Sequence, residues 1–308
     1  MKEKIDFNKK KIVGVALSLV ILSVLLIFLI YTDFKNNDIN YIEITQLHDN
    51  TEKQMMGYFV KTKNGKIIIV DGGNPGDSNN LKKYIDENGG KVDFWFLTHF
   101  HSDHVGALAD IIENSDIKID NIVYNFCTRN MVESYELGRL YQYDLIDNAL
   151  KNDRIKKSLH IAKKGEKFTI DNVNVKILSV YENDITENFG NNTSMVFKLY
   201  INDKSILFLG DTGVESSEKL LRNNYNDLKS DYVQMSHHGQ NGATFELYKA
   251  IDPEYCFWPT PEWLWNNDSG EGYNSGEWKT LETRECMKML NVKQSYIEKD
   301  GDITLKIY

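Results

Sequence analysis

The sequence predicts an α/β protein in which two packed β-sheets carry helices on their outer faces. Three observations lead there. Short apolar runs of β type alternate with stretches whose apolar positions recur at helical spacing. These elements fall into two β-rich halves with flanking helices, the pattern of layers sharing one core. A content of 41% hydrophobic and 26% charged residues over 308 positions supplies that core, and no internal repeat or low-complexity tract points elsewhere.

The N-terminal elements are of another kind. Residues 1–11, "MKEKIDFNKKK", carry five lysines against Glu3 and Asp6. Residues 12–31, "IVGVALSLVILSVLLIFLIY", hold no charge and only two serines. Twenty such residues at about 1.5 Å each match a hydrocarbon layer of roughly 30 Å. The basic flank places residues 1–11 in the cytoplasm. No small-x-small site follows the run, so an uncleaved anchor is expected rather than a removable signal. The chain then reads as a basic tip (1–11), a transmembrane anchor (12–31), a polar linker (32–41) and a globular domain (42–308). The expected location is the cell membrane, single-pass, with the domain outside the cytoplasm.

Within that domain, "YIEITQL", "GYFVKTK" and "KIIIVDGG" read as strands, the last two joined by a hairpin turn at Asn64-Gly65. "SNNLKKYIDENGG" reads as a helix closed by Gly89. A strand at 93–97, a histidine-rich loop, a helix at 104–115 and the strand "KIDNIVY" follow, then one long helix over about 130–151. The β-type runs "LHIA", "EKFTI", "VNVKILSV", "SMVFKLYI" and "KSILFLGD" come next. Helices near 215–223, 243–251 and 276–290 alternate with strands "DYVQMS", "EYCFW", "QSYIEK" and "ITLKIY".

Charge and cysteine content exclude some functions. The net charge is −9; the tip contributes +3, so the remainder carries −12. Such a domain lacks the basic footprint of a non-specific nucleic-acid binder, and no strong nucleic-acid binding is expected. Cys127, Cys256 and Cys286 form no CxxC pair that would suggest a zinc ribbon or redox site, and read as small buried residues.

The chemistry concentrates at strand ends. "THFHSDHVG" (98–106) packs three of the seven histidines and an aspartate where one apolar run stops. His99 and His101 project to the same side of an extended segment, because side-chain direction has a period of two. Asp103 and His104 lie at the turn into the next helix. Imidazole nitrogen and carboxylate oxygen suit zinc, and also manganese or iron. Two more apolar runs end similarly, "SILFLGDTG" at Asp211 and "YVQMSHHGQNG" at His237 and His238. Five of the seven histidines therefore sit at the ends of predicted strands, and their convergence would build a metal cleft.

These elements, in this order, resemble the metallo-β-lactamase superfamily over roughly residues 42–308. Residues Thr98 to His104 match its H-x-H-x-D-H signature, and Asp71-Gly72-Gly73 its earlier D-G-G element. The N-x-x-S element at Asn191-Asn192-Thr193-Ser194, then Gly210-Asp211 and His237-His238-Gly239, resemble the hydrolase domain of DNA-internalisation competence proteins and their free-standing relatives. The resemblance implies a four-layer αββα sandwich. It implies two divalent cations, zinc foremost: one held by His99 and His101, the other by Asp103, His104 and His237, with Asp211 bridging. Asp71, Asn191 and Asn192 would support the ligands from behind. Many branches carry a further histidine near the N-x-x-S element, and here it is absent.

The implied reaction uses a metal-bound hydroxide. Two cations about 3.5–4 Å apart bring a water's pKa near neutrality. Asp103 would orient it, and His238 would contact substrate or donate a proton. The roles of His237 and His238 are interchangeable by small shifts. The expected function is a membrane-anchored metal-dependent hydrolase of phosphodiester or related phosphoester bonds, with amide or lactam hydrolysis or non-catalytic metal sensing as alternatives. No G-x-S-x-G elbow suggests a serine nucleophile. Four of five tryptophans lie in "WPTPEWLWNNDSGEGYNSGEW". Trp258, Trp263 and Trp265 there form either an aromatic cap packed for stability or a candidate substrate loop, the latter suited to a cationic or sugar-like group on a small-molecule or envelope-polymer phosphoester.

Overall fold

The strand Ile67–Asp71 is buried along its whole length, and its pleat sorts it between two cores. Ile67 and Ile69 pack with Leu81, Val105, Leu108 and Ile146, which come from helices. Ile68 and Val70 pack with Phe197, Ile206, Phe208 and Phe257 of a second sheet. This period of two, repeated strand by strand, generates the layers. In the computed structural model, which describes residues 21–27 and 40–308, there are two seven-stranded sheets and a two-stranded one.

The first sheet runs, edge to edge, Ile303–Ile307, Ile42–Gln46, Gly57–Lys61, Ile67–Asp71, Phe94–Phe96, Ile122–Tyr124 and Leu159–Ile161. The second runs Gln294–Ile297, Tyr255–Trp258, Tyr232–Gln234, Lys204–Phe208, Val196–Ile201, Val173–Ser179 and Lys167–Ile170. Helices Ser78–Glu87, Ser102–Asn114 and Leu140–Leu150 contribute to the outer core of the first sheet. Val214–Leu228, Phe245–Ile251 and Thr280–Met289 do so for the second. The architecture is the expected αββα sandwich, and the C-terminal strand closes it by pairing antiparallel with Ile42–Gln46.

Each sheet is antiparallel in one half and parallel in the other. Ile67–Asp71, Phe94–Phe96, Ile122–Tyr124 and Leu159–Ile161 are parallel neighbours. So are Lys204–Phe208, Tyr232–Gln234, Tyr255–Trp258 and Gln294–Ile297. Parallel neighbours bring their C-terminal ends to one edge, where open α/β sheets bind ligands. Asp71, the histidine knot, Asp211 and the twin histidines all sit at those ends.

Several expectations change. The helix expected over 130–151 is broken: Arg129–Tyr135 ends at Glu136 (φ −149°, ψ 50°), a short 3₁₀ turn Leu137–Arg139 follows, and Leu140–Leu150 resumes. Two four-residue helices are unanticipated, Phe189–Asn192 in a stretch given no element and Glu262–Trp265 within the tryptophan loop. Cys127 and Cys256 are buried free thiols as expected, whereas the free thiol Cys286 is only half-buried. The basic tip, most of the linker, and 12–20 and 28–31 of the expected anchor lie outside the described residues. Residues 21–27 are helical, and no helix among the described residues is long and apolar enough to cross a membrane.

Candidate metal centre

The histidine knot is shaped by the transition from strand to helix. His101, extended at φ −64° and ψ 145°, caps the helix Ser102–Asn114, whose first turn carries Asp103. A carboxylate there is favoured by the amide dipoles of the helix start. Asp211 follows Gly210, which takes φ +56°; a Cβ at Gly210 would meet Ser194 Oγ at 2.7 Å and Thr98 Cβ at 2.8 Å. Glycine lets that turn pack directly on the histidine loop. His237 and His238 both adopt left-handed backbone, at φ 49° and 55°. Two such residues in succession are strained. They are held by His237 N–H donating to Gly210 O (3.2 Å) and by Thr260 Oγ1 donating to His238 O (2.7 Å).

Two triads form where these segments meet. Ligand atoms of His99, His101 and Asp211 lie within 4.8 Å of one another, and so do those of Asp103, His104 and His238. Asp211 links them: Oδ2 is 3.8 Å from His99 Nε2, and Oδ1 is 3.3 Å from His104 Nε2. His238 Nε2 lies 3.3 Å from Asp103 Oδ2 and 3.6 Å from Asp211 Oδ2. His99, His104 and His238 are fully buried, and Asp211 nearly so.

Hydrogen bonds fix which atom of each ring faces inward. His104 Nδ1 is 2.6 Å from Asp71 Oδ2, and Asp71 also accepts from Thr98 N–H and Oγ1–H. His238 Nδ1 is 2.9 Å from Pro259 O; a carbonyl only accepts, so that nitrogen carries the proton. His99 Nδ1 faces Thr98 Oγ1 at 3.1 Å. The opposite nitrogens, Nε2 of His99, His104 and His238, together with Asp211 Oδ1, are buried without a hydrogen-bond partner. Buried polar atoms are seldom left so, and four of them converging with the right donor chemistry fit metal coordination.

Electrostatics point the same way. Burial drives the His99 pKa well below its ordinary value, with His104 and His101 adding to the effect, so the ring is neutral as a ligand must be. Asp103 and Asp211 are ionised. Burial opposes this, but the nearby rings of His238 and His104 outweigh it at both carboxylates. His104 and His238 are raised, against the effect of burial, chiefly by Asp211. Two buried carboxylates thus demand positive charge, which protons on these rings supply and divalent cations would displace.

The structure corrects the reading of the twin histidines. His238, not His237, joins Asp103 and His104. His237 lies at the rim, its Nε2 4.0 Å from Asp211 Oδ2 and 3.3 Å from Asn191 Nδ2. The reason is the left-handed pair, which turns the second ring inward where Pro259 holds it. Asn191 Oδ1 is buried and unpartnered. Asn192 Oδ1 instead accepts from Gly213 and Ser216 N–H, anchoring the start of Val214–Leu228 behind Asp211. His160 stands apart from the centre, bonded to Glu166 on an edge strand.

The tryptophan loop divides. In Tyr255–Trp258, Phe257 points to the inter-sheet core, so the pleat turns Trp258 outward into the helical layer. There its ring meets Trp265 edge-on, and Trp265 lies under Arg284. These two are packing residues, so the cap reading holds for them and the substrate-loop reading does not. Trp263 differs: with Asp49, Glu52, Pro261, Glu262 and Asp268 it lines a cavity of about 730 Å³. Pro261 is two residues from Pro259, and Glu52 two residues from Gln54, whose Nε2 donates to Asp103 Oδ2 (2.8 Å).

Sequence reasoning assigned no role to Gln54, Gln240 or Glu136. Gln240 donates to Gln54 Oε1, completing a chain to Asp103. Glu136 lies 3.2 Å from His101 Nε2 and accepts from Gly190 N–H at 2.8 Å. The interruption at Leu137-Gly138 was the sole sequence signal near Glu136, and a lone glycine within a helical pattern is weak.

Comparison with known proteins agrees with this geometry. Residues 55–160 match the model of the metallo-beta-lactamase superfamily. A hydroxyacylglutathione hydrolase of Idiomarina loihiensis is 31% identical over 75 residues, 23% of this chain, and the match spans only 28% of that relative. Among solved structures, the metallo-beta-lactamase fold protein YhfI of Bacillus subtilis superposes with a TM-score of 0.54 at 11% identity, covering 87% of this chain and all of that one. Unliganded yeast PDE1 gives 0.53 at 15% identity over the same shares. CmlA, a diiron beta-hydroxylase of Streptomyces venezuelae, gives 0.53 at 13% identity over 87% of this chain and 54% of its own. At such identities the structural likeness establishes the fold. The matched segment, residues 55–160, is thus similar to a metallo-beta-lactamase superfamily domain, and the chain around it carries the metallo-beta-lactamase fold.

Proposed function

We propose that this protein is a membrane-anchored, metal-dependent hydrolase of phosphodiester or related phosphoester bonds. One observation carries the hydrolytic part: three imidazole nitrogens and a carboxylate oxygen converge, buried and unpartnered, at the sheet edge. Two divalent cations, zinc foremost, would be held by His99, His101 and Asp211 and by Asp103, His104 and His238. Bound there, they would supply a water that ionises near neutral pH and an electrophilic clamp for the substrate oxygens.

The chain's own residues do the rest. Asp71 and the Pro259 carbonyl fix His104 and His238 in the tautomer that presents Nε2. Gln54 occupies one oxygen of Asp103, leaving the carboxylate oriented to hold a nucleophilic water's proton. His237, at the rim beside Asn191, would contact the substrate. Preference for phosphoesters over amides is supported by the N-x-x-S and His-His-Gly elements and their resemblance to the nuclease-like branch. The apolar run 12–31 with its basic flank supports an anchor and an extracytoplasmic substrate such as an envelope polymer. The cavity lined by Trp263 and four carboxylates, with His48 and Lys299 also in its wall, keeps an acidic balance that suits a cationic or sugar-like group on it.

The test is turnover of bis-p-nitrophenyl phosphate beside nitrocefin by the purified full chain, with metal content measured. Metal-dependent phosphodiester cleavage, lost together with metal in Asp103→Ala and Asp211→Ala, is the expected result. Nitrocefin turnover alone, or a chain that takes up no metal, would overturn the reading.

A further inference from the structure

We infer that Glu136 is a positioning residue for the first metal site, acting on His101 as Asp71 acts on His104. The inference rests on the two-cation reading above and goes beyond it, because it assigns a role to a residue outside every ligand-bearing strand end.

The geometry is specific. Glu136 Oε1 lies 3.2 Å and Oε2 3.3 Å from His101 Nε2. A carboxylate accepts from Nε2–H and so leaves Nδ1 of His101 as the ring's lone-pair nitrogen. That is the mirror image of His104, where Asp71 takes Nδ1 and leaves Nε2. Metal-bound histidines almost always give their second nitrogen to such a partner, which sets the tautomer and holds the ring.

Glu136 also reaches beyond the ring. Its Oε2 accepts the Gly190 N–H at 2.8 Å, within the short helix Phe189–Asn192 that carries Asn191. One carboxylate therefore fastens His101 and the turn bearing the unpartnered Asn191 Oδ1 to each other. This matters because, among the described residues, the first triad holds two histidines and Asp211 and no third histidine. A site with fewer strong ligands depends more on how firmly those ligands are aimed. The local backbone suits this role. Arg129–Tyr135 stops at Glu136, whose N–H still bonds Val132 O at 2.8 Å, and the chain departs in a new direction.

The experiment is equilibrium dialysis of the full-length chain against limiting Zn²⁺, with metal per chain measured for wild type, Glu136→Ala and Glu136→Gln. Cobalt substitution, read by its visible absorption, then reports the coordination of each site. Wild type should hold two ions. Glu136→Ala should hold one tightly and the second about 10- to 100-fold more weakly. Glu136→Gln, whose carbonyl still accepts from Nε2–H, should recover much of that loss. Equal affinities in wild type and Glu136→Ala would overturn the inference while leaving the two-cation reading intact. Equal loss in both variants, with an altered cobalt spectrum, would make Glu136 a ligand rather than a positioning residue and would also overturn it. A wild-type chain that binds no metal would instead sink the functional reading.

Discussion

Gly190→Ala is the most direct probe of how closely the first site is built. A Cβ on Gly190 would meet His101 Cε1 at 2.9 Å, and His101 Nε2 and Glu136 Oε2 closer still. Carbon contacts are comfortable at about 3.5–4.0 Å, so the ring must retreat by at least ~0.6 Å. Relief of the two tighter contacts brings the shift to about 1 Å. Overpacking of this kind costs roughly 1–3 kcal/mol in stability. The larger effect is chemical: displacement of a catalytic constellation by about 1 Å can lower activity on the order of 100-fold, or ~2.7 kcal/mol of transition-state stabilisation. The assay is kcat/KM on bis-p-nitrophenyl phosphate with zinc per chain and thermal melts in parallel. Gly138→Ala is the control, since a Cβ there meets nothing within 4 Å. A Gly190→Ala enzyme that keeps two zinc ions and wild-type kcat/KM would show that the close approach has no bearing on the site.

Further outcomes follow from single contacts. Asp71→Asn turns an NH₂ toward His104 Nδ1, now 2.6 Å from a carboxylate oxygen, and so drives the proton onto Nε2; metal dialysis should show about 10- to 100-fold weaker binding at the His104 site alone. Trp258→Ala should cost about 3–5 kcal/mol in urea unfolding, because the ring is 1% exposed and packed among helices. Trp263→Ala should leave stability within ~1 kcal/mol and raise KM, the split that separates cavity wall from core. Glu298 is a buried carboxyl whose pKa burial pushes well above the ordinary range, with Asp49, Asp77 and Asp302 adding to it against the Asp49 amide. Its contribution is complete below the unfolded pKa of about 4.3 and is lost as pH rises toward the folded value, by at most ~1.4 kcal/mol per unit. Glu298→Gln should therefore flatten the decline in melting temperature as pH rises above about 5, and an unchanged profile would refute the assignment.

What was legible in the chain was what local rules determine. The strand Ile67–Asp71 and the hairpin before it follow from β-branched runs and an Asn-Gly turn, and the layers from a pleat that sends alternate residues to opposite cores. His99, Asp103, His104 and Asp211 were legible because ligand-type side chains at the ends of apolar runs have few other reasons to be there. The misreadings share a cause: each depended on a contact between segments distant in sequence. His237 and His238 are neighbours, and the choice between them is made by a left-handed turn whose second ring is caught by Pro259, 21 residues on. Trp258 looked like part of an open aromatic loop, yet as the last residue of a strand it obeys the pleat, and Phe257 already occupied the inner face. Glu136 was invisible for the same reason, 35 residues from His101 and inside what read as unbroken helix. The ligands are thus written in local pattern, while the groups that aim them are written in topology. A chain that lacks one histidine is where the second kind of information should matter most.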